Sequence, residues 1–187
     1  MEIIKHRVNV ITQIDNRYGL EIDVRDSIGE LVISHDSSSG NEITLNNYLK
    51  HIDCKKLIAI NIKSSEIENK LKQILQTNNI TNYFTFDWSV PSLIKAIQIQ
   101  LICAFRLSEY EKEIIPNCAW VWLDAFHSIW YDEILLDSLK NKGLKIAIVS
   151  PELHNRKSEL PKVKEIVKSG KVDAICTDLP EYYQIND

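Results

Sequence analysis

The sequence predicts a compact parallel (β/α)8 TIM barrel in one domain, residues 1–187, with a β-hairpin extension after its second strand. Three observations carry this expectation. Short β-branched or aromatic runs alternate with helical patterns along the whole chain. Most of these runs turn polar at their C-terminal ends, where barrels of this type build their sites. The stretch GLEIDVRDSIGELVISHD (residues 19–36) reads as two strands joined around Gly29, and that turn is too short for a parallel crossover.

The strand runs are EIIKHR (2–7), GLEIDV (19–24), LIAINIK (57–63), YFTFDW (83–88), LICAFRLS (101–108), WVWLDAF (120–126), KIAIVS (145–150) and DAICTD (173–178). Helix candidates lie between them: TLNNYLKHI from Thr44, SEIENKLKQILQT from Ser65, VPSLIKAIQ from Val90, YDEILLDSLKNKG from Tyr131 and PKVKEIVKSG from Pro161. Ser65 to Glu68 reads as a helix start and Lys168 to Gly170 as a stop. Such barrels usually take about 250 residues. A chain of 187 must therefore reduce two helices to loops, and the short, weakly helical links after the first and fifth strands are the places for it. An open doubly wound sheet is the alternative.

Composition narrows the partners. With 44% hydrophobic and 26% charged residues the chain is of ordinary globular type. Its formal net charge is -4 with no basic block, which weighs against a nucleic-acid partner. No apolar run reaches membrane-spanning length, and MEIIKHRVN lacks the hydrophobic region of a signal peptide, so a cytoplasmic location is expected. Cys54, Cys103, Cys118 and Cys176 are scattered without a CxxC pair and are expected to be buried free thiols.

The candidate chemistry sits at the strand ends. Period-two alternation puts Glu21 and Asp23 on one face of their strand, opposite Leu20, Ile22 and Val24. The hairpin can bring His35 towards this pair, and acids beside a histidine are the parts of a metal-assisted phosphoryl-transfer site. In LIAINIK the isoleucines form one face and Ala59, Asn61 and Lys63 the other. The same late polarity appears in His6, Asp87, Arg106, Asp124, Ser150 and Asp178. Arg106 and Asp124, at the ends of the fifth and sixth strands, are expected to contact substrate or each other. His127 and His154 read as ordinary loop histidines, His51 as solvated, SEYEKE from Ser108 as a solvated loop or helix start, and the four tryptophans as packing residues.

Read in order, these motifs resemble the glycerophosphodiester phosphodiesterase family of the phosphatidylinositol-specific phospholipase C-like superfamily. Its opening H-R-G is His6-Arg7-Val8 here, its E-x-D with a following H-D is Glu21-Ile22-Asp23 with His35-Asp36, and its E-x-K is Asn61-Ile62-Lys63. The closing D-x-x-x-T-D-x-P is matched by Asp173, Thr177, Asp178 and Pro180. The resemblance implies a Mg2+ or Ca2+ ion held by Glu21 and Asp23, with Asn61 in the place of a third acidic ligand. It implies His6 and His35 as acid and base, with Arg7 and Lys63 on the phosphate oxygens. The implied activity is hydrolysis of a small, glycerophosphodiester-like substrate. A lyase releasing a cyclic phosphate, or a catalytically weak barrel that binds a phosphorylated metabolite or a partner, are the alternatives. The chain departs from the pattern at Val8, at Asn61, in the two shortened links, and in NVITQ (9–13), which stands where the family has an acidic E-N-T segment.

Overall fold

Alternation along eight short strands sorts the side chains to the two sides of a single closed sheet. In the computed structural model, which describes residues 1–184, the elements in chain order are β1 (Glu2–Lys5), β2 (Gly19–Ser27), β3 (Glu30–Ile33), α1 (Leu45–Tyr48), β4 (Ile58–Ile62), α2 (Glu68–Thr77) and β5 (Tyr83–Phe86). There follow α3 (Val90–Gln98), β6 (Ala104–Leu107), β7 (Trp120–Leu123), α4 (Glu133–Asn141), β8 (Lys145–Val149), α5 (Leu160–Lys168) and β9 (Ala174–Thr177). The strand order is β5-β4-β2-β1-β9-β8-β7-β6, all parallel. A parallel bridge between Thr85 and Cys103 joins the two ends of this order and closes the barrel. The open doubly wound alternative is thereby excluded.

The hairpin forms as expected. β3 runs antiparallel to the second half of β2, from Val24 opposite Ile33 to Ser27 opposite Glu30. Its two-residue turn places Ile28 and Gly29 at φ of 52° and 80°, the left-handed conformation that two-residue hairpins demand. The two shortened links are also found: the β1–β2 connection holds only a 3₁₀ turn at Ile11–Gln13, and no helix lies between β6 and β7.

Two side-chain sets result. Leu20, Ile22, Ile58, Ile60, Phe105, Val121, Ile146 and Ile148 point outward and pack beneath the helices. Ile4, Leu57, Phe84, Phe86, Trp120, Trp122 and Val149 fill the interior with four alanines, Ala59, Ala104, Ala147 and Ala174. The small residues make room for the aromatics, which stack as Phe84–Trp120 at 4.7 Å and Phe86–Trp122 at 4.0 Å between centroids. A short barrel is thus plugged by few, large side chains, and the polar residues are left at one end. Gly19 is one tight point. A Cβ there would lie 2.6 Å from the Leu57 carbonyl oxygen, so Gly19→Ala should cost about 1–3 kcal/mol of stability in a urea titration.

The structure corrects two local readings. Ser65 does not cap α2, which starts at Glu68 with Ile67 as its cap residue. Glu66 has φ of 64°, outside the helical region, so a helix cannot propagate from Ser65. Cys54 is exposed, whereas Cys103, Cys118 and Cys176 are buried free thiols. Cys54 lies in the turn before β4, away from both apolar sets. Among the described residues, no helix is long and apolar enough to cross a membrane.

Candidate active site

The C-terminal ends of the strands surround a cavity of about 340 Å³ lined by His6, Arg7, Glu21, Asn61, Lys63, Asp87, Arg106, Asp124 and His154, over a floor that includes Phe86 and Trp122. Its polar rim divides into two halves with separate hydrogen-bond networks.

The first half is built on β1, β2 and β4. Just beyond β1, Arg7 takes φ of 48°, which turns its backbone N–H onto Glu21 Oε2 at 2.7 Å. A non-glycine residue held there stores strain at the site. Asp23 is 1% exposed and is clasped by Asn9, whose Nδ2 donates to Asp23 Oδ2 at 2.7 Å while its Oδ1 accepts the Asp23 N–H at 3.0 Å. Lys63 Nζ stands 3.2 Å from Asp23 Oδ1 and Arg7 Nε 3.7 Å from Oδ2. The lysine contact is an ion pair without good hydrogen-bond alignment, and among the described residues Oδ1 has no hydrogen-bond partner. Asn61 lies directly opposite Asp23 in the β2–β4 register, and its Oδ1 is likewise buried without a partner. Burial first, and then the neighbouring Asp23, push Glu21 up to about 8. Among the described residues no three His, Cys, Asp or Glu side chains group as a metal site.

His6 completes this half. Its Nδ1 is 3.1 Å from Asp178 Oδ1 just past β9, and burial holds its pKa below the usual imidazole value despite that carboxylate. A carboxylate only accepts, so Nδ1 carries the proton and Nε2 keeps its lone pair. The ring is thus tethered through Nδ1.

The second half is built on β5 to β8. Arg106 donates from Nε to Asp87 Oδ1 at 3.0 Å and from Nη2 to Asp87 Oδ2 at 2.7 Å, and its Nη1 pairs with Asp124. Asp124 also takes His154 Nε2 at 2.8 Å and the Ala125 N–H at 2.8 Å. Arg106 and Asp124 therefore contact each other, and both line the cavity.

His35 lies elsewhere. Its Nδ1 bonds the adjacent Asp36 Oδ1 at 2.9 Å, and it lines a second, mostly apolar cavity of about 470 Å³ with Asn9, Val10, Ile11, Ile33 and Ile43. Asn9, shared between this groove and the Asp23 clasp, is the link between the two.

Sequence reasoning missed Asn9, Asp87 as a clamp, and His154. Asn9 had only its place two residues after His6-Arg7 to signal it. His154 had only its position in the turn after β8. The SEYEKE run is a loop, as expected, but Glu109 in it accepts the N–H groups of Phe126 and His127 at 2.9 and 3.0 Å and so shapes the mouth.

No family model matches the sequence, and no curated protein is similar to it in sequence. Solved structures are similar over nearly the whole chain. A glycerophosphodiester phosphodiesterase from Agrobacterium tumefaciens aligns with a TM-score of 0.75 at 16% identity, covering 98% of each chain. One from Thermotoga maritima gives 0.72 at 17% identity over 98% of this chain and 96% of its own. A phosphodiesterase from Oleispira antarctica, solved with the product sn-glycerol-3-phosphate, gives 0.68 at 15% identity over 98% of this chain and 95% of its own. Over 98% of its length the chain has the barrel fold of these glycerophosphodiester phosphodiesterase structures.

Proposed function

We propose that the protein hydrolyses a small phosphodiester, of glycerophosphodiester type, to a phosphomonoester and an alcohol. The observation that carries this is the gathering, in one cavity of such a barrel, of the acid Glu21, the cations Arg7 and Lys63, and the tethered imidazole of His6. In this reading Arg7 and Lys63 turn from Asp23 towards the phosphate and neutralise charge on its oxygens as the transition state forms. His6 exchanges a proton through Nε2, and His35 serves the opposite oxygen from the groove side. Arg106 and Asp124 contact the alcohol portion.

A hard divalent cation, Mg2+ or Ca2+, fits the donors present. The two orphaned oxygens on Asp23 and Asn61, and the upward push on Glu21, are each relieved by a cation bound among them. When bound, such an ion supplies Lewis-acid polarisation of the phosphate.

Asn61 makes this site unusual. It leaves two acidic ligands, already faced by Lys63 and Arg7, so the cation should bind weakly until an anionic substrate arrives, and the coupling must be reciprocal. Asn61→Glu should tighten Mg2+ binding by tenfold or more, a modest share of the ~4 kcal/mol between unit charges 4 Å apart at an effective dielectric of 20. It should also shrink the enhancement by a non-hydrolysable phosphodiester. Calorimetric titration with and without that ligand measures both, and unchanged affinity would remove Asn61 from the ligand set.

The activity itself is tested by 31P NMR of glycerophosphodiesters incubated with protein and Mg2+ or Ca2+. A phosphomonoester signal is expected. A cyclic phosphate as first product would make the protein a lyase. No turnover, with binding retained, would favour the binding-barrel reading, to which the position of His35 outside the mouth cavity lends support.

A further inference from the structure

One buried carboxylate at the mouth takes no part in either rim network. Glu152 is 8% exposed, in the 3₁₀ turn Pro151–His154 that follows β8. Its Oε1 accepts the hydroxyl of Thr177 and the backbone N–H of Asp178, the latter at 3.1 Å. Its Oε2 accepts the Ser150 hydroxyl. Thr177 in turn accepts the Leu179 N–H at 2.9 Å, and Tyr183 donates to Ser150 Oγ at 2.7 Å. Every donor aimed at Glu152 is satisfied, and the carboxylate ties the ends of β8 and β9 to the C-terminal turn. Such a buried, mutually satisfied network holds its members in one arrangement.

What it fixes is Asp178. The Asp178 side chain is 59% exposed and, among the described residues, its polar partner is the His6 ring. Its backbone, by contrast, is pinned by Glu152 on one side and by the Thr177–Leu179 turn on the other. His6 is held from the same strand end, its N–H donating to the Thr177 carbonyl at 3.0 Å. We propose that Glu152 is a positioning residue: through Thr177 and Asp178 it sets the tautomer and orientation of His6, so that Nε2 meets the substrate oxygen. This rests on the reading of His6 as the acid–base group, and the tests keep the two separate.

Glu152→Ala should lower kcat by about 10–100-fold, the usual cost of losing an outer partner of a site histidine, with KM within about twofold. Glu152→Gln should recover most of that loss, since its amide oxygen can accept from Thr177 and Asp178 while its NH2 donates to Ser150. The second readout needs no substrate. In 15N-histidine NMR of the metal-free protein, neutral His6 should carry its proton on Nδ1, the tautomer free histidine disfavours, and Glu152→Ala should shift it towards Nε2–H. Should Glu152→Ala unfold, the isosteric Thr177→Val removes one of the three donors and is expected to move both readouts the same way by less. If both variants keep the wild-type tautomer and kcat, Glu152 is merely structural and the proposal fails. If the tautomer shifts while the wild-type protein hydrolyses no phosphodiester, the positioning holds and the catalytic reading of His6 fails.

Discussion

Replacing His6 with alanine is expected to lower phosphodiester turnover by about 10²–10⁴-fold, the usual contribution of one acid–base group. The protein should remain folded, since the ring is a quarter exposed and its side-chain hydrogen bond is to Asp178 at the rim. One proton must leave the attacking oxygen while another reaches the departing alcohol, and His6 is the imidazole with a free nitrogen beside Arg7, Glu21 and Lys63. The same loss is expected for His35→Ala, although its ring stands in the adjoining groove. Steady-state rates on the best glycerophosphodiester, with circular dichroism to verify folding, measure both. Near wild-type turnover in His6→Ala would end the mechanism. Near wild-type turnover in His35→Ala alone would place the second proton transfer inside the mouth cavity, where His154 is the remaining imidazole.

Glu21→Gln should abolish divalent-cation binding and yet stabilise the metal-free protein at alkaline pH. Burial, and then the neighbouring Asp23, push the folded carboxyl from its ordinary 4.5 up to about 8. Between those two values unfolding releases a proton, so the wild-type protein loses stability as pH rises through that window. Below 4.5 the penalty is absent, and above 8 it is fully present. A glutamine mimics the protonated acid and removes this part of the slope. The gain at pH 9 should be on the order of a few kcal/mol, since one pKa unit is about 1.4 kcal/mol. Urea unfolding at pH 5 and pH 9 in chelator would show it. Added Mg2+ should then raise the melting temperature of the wild type but not of Glu21→Gln. A variant less stable than wild type at pH 9 would mean that Glu21 is not held against its own charge.

The barrel was readable because its signal is local. Ile58, Ile60 and Ile62 against Ala59, Asn61 and Lys63 state at once which face packs outward and which end is polar. The hairpin was readable for the same reason, its turn being two residues long. The candidate site was legible where a strand delivers the side chain: Glu21 and Arg106 lie within β2 and β6, His6, Lys63 and Asp124 just past β1, β4 and β7, and all reach the mouth. Loop residues carry no such periodicity. Nothing in NVITQ announces that Asn9 would clasp Asp23, and nothing in SPELHN separates the buried Glu152 from the cavity-lining His154. Ser65 illustrates the converse. A good capping pattern was overruled by one residue, Glu66, whose backbone had to turn the other way.

The closure of the barrel carries a consequence for its motion. Neighbouring strands are laddered by two or more registered residues everywhere except between β5 and β6, which meet at the single bridge from Thr85 to Cys103. That line is a zipper with one tooth. Above it the Arg106–Asp87 pair spans the gap at the mouth, in the manner of a clasp. Breathing of the native state is cheapest where backbone pairing is sparsest. Amide deuteration should therefore enter at Thr85 and spread along β5 and β6 before it reaches β1 or β9. A brief parting there would widen the cavity between its Lys63 and Asp124 sides, leaving the better-paired β1–β9 seam beneath His6 in place.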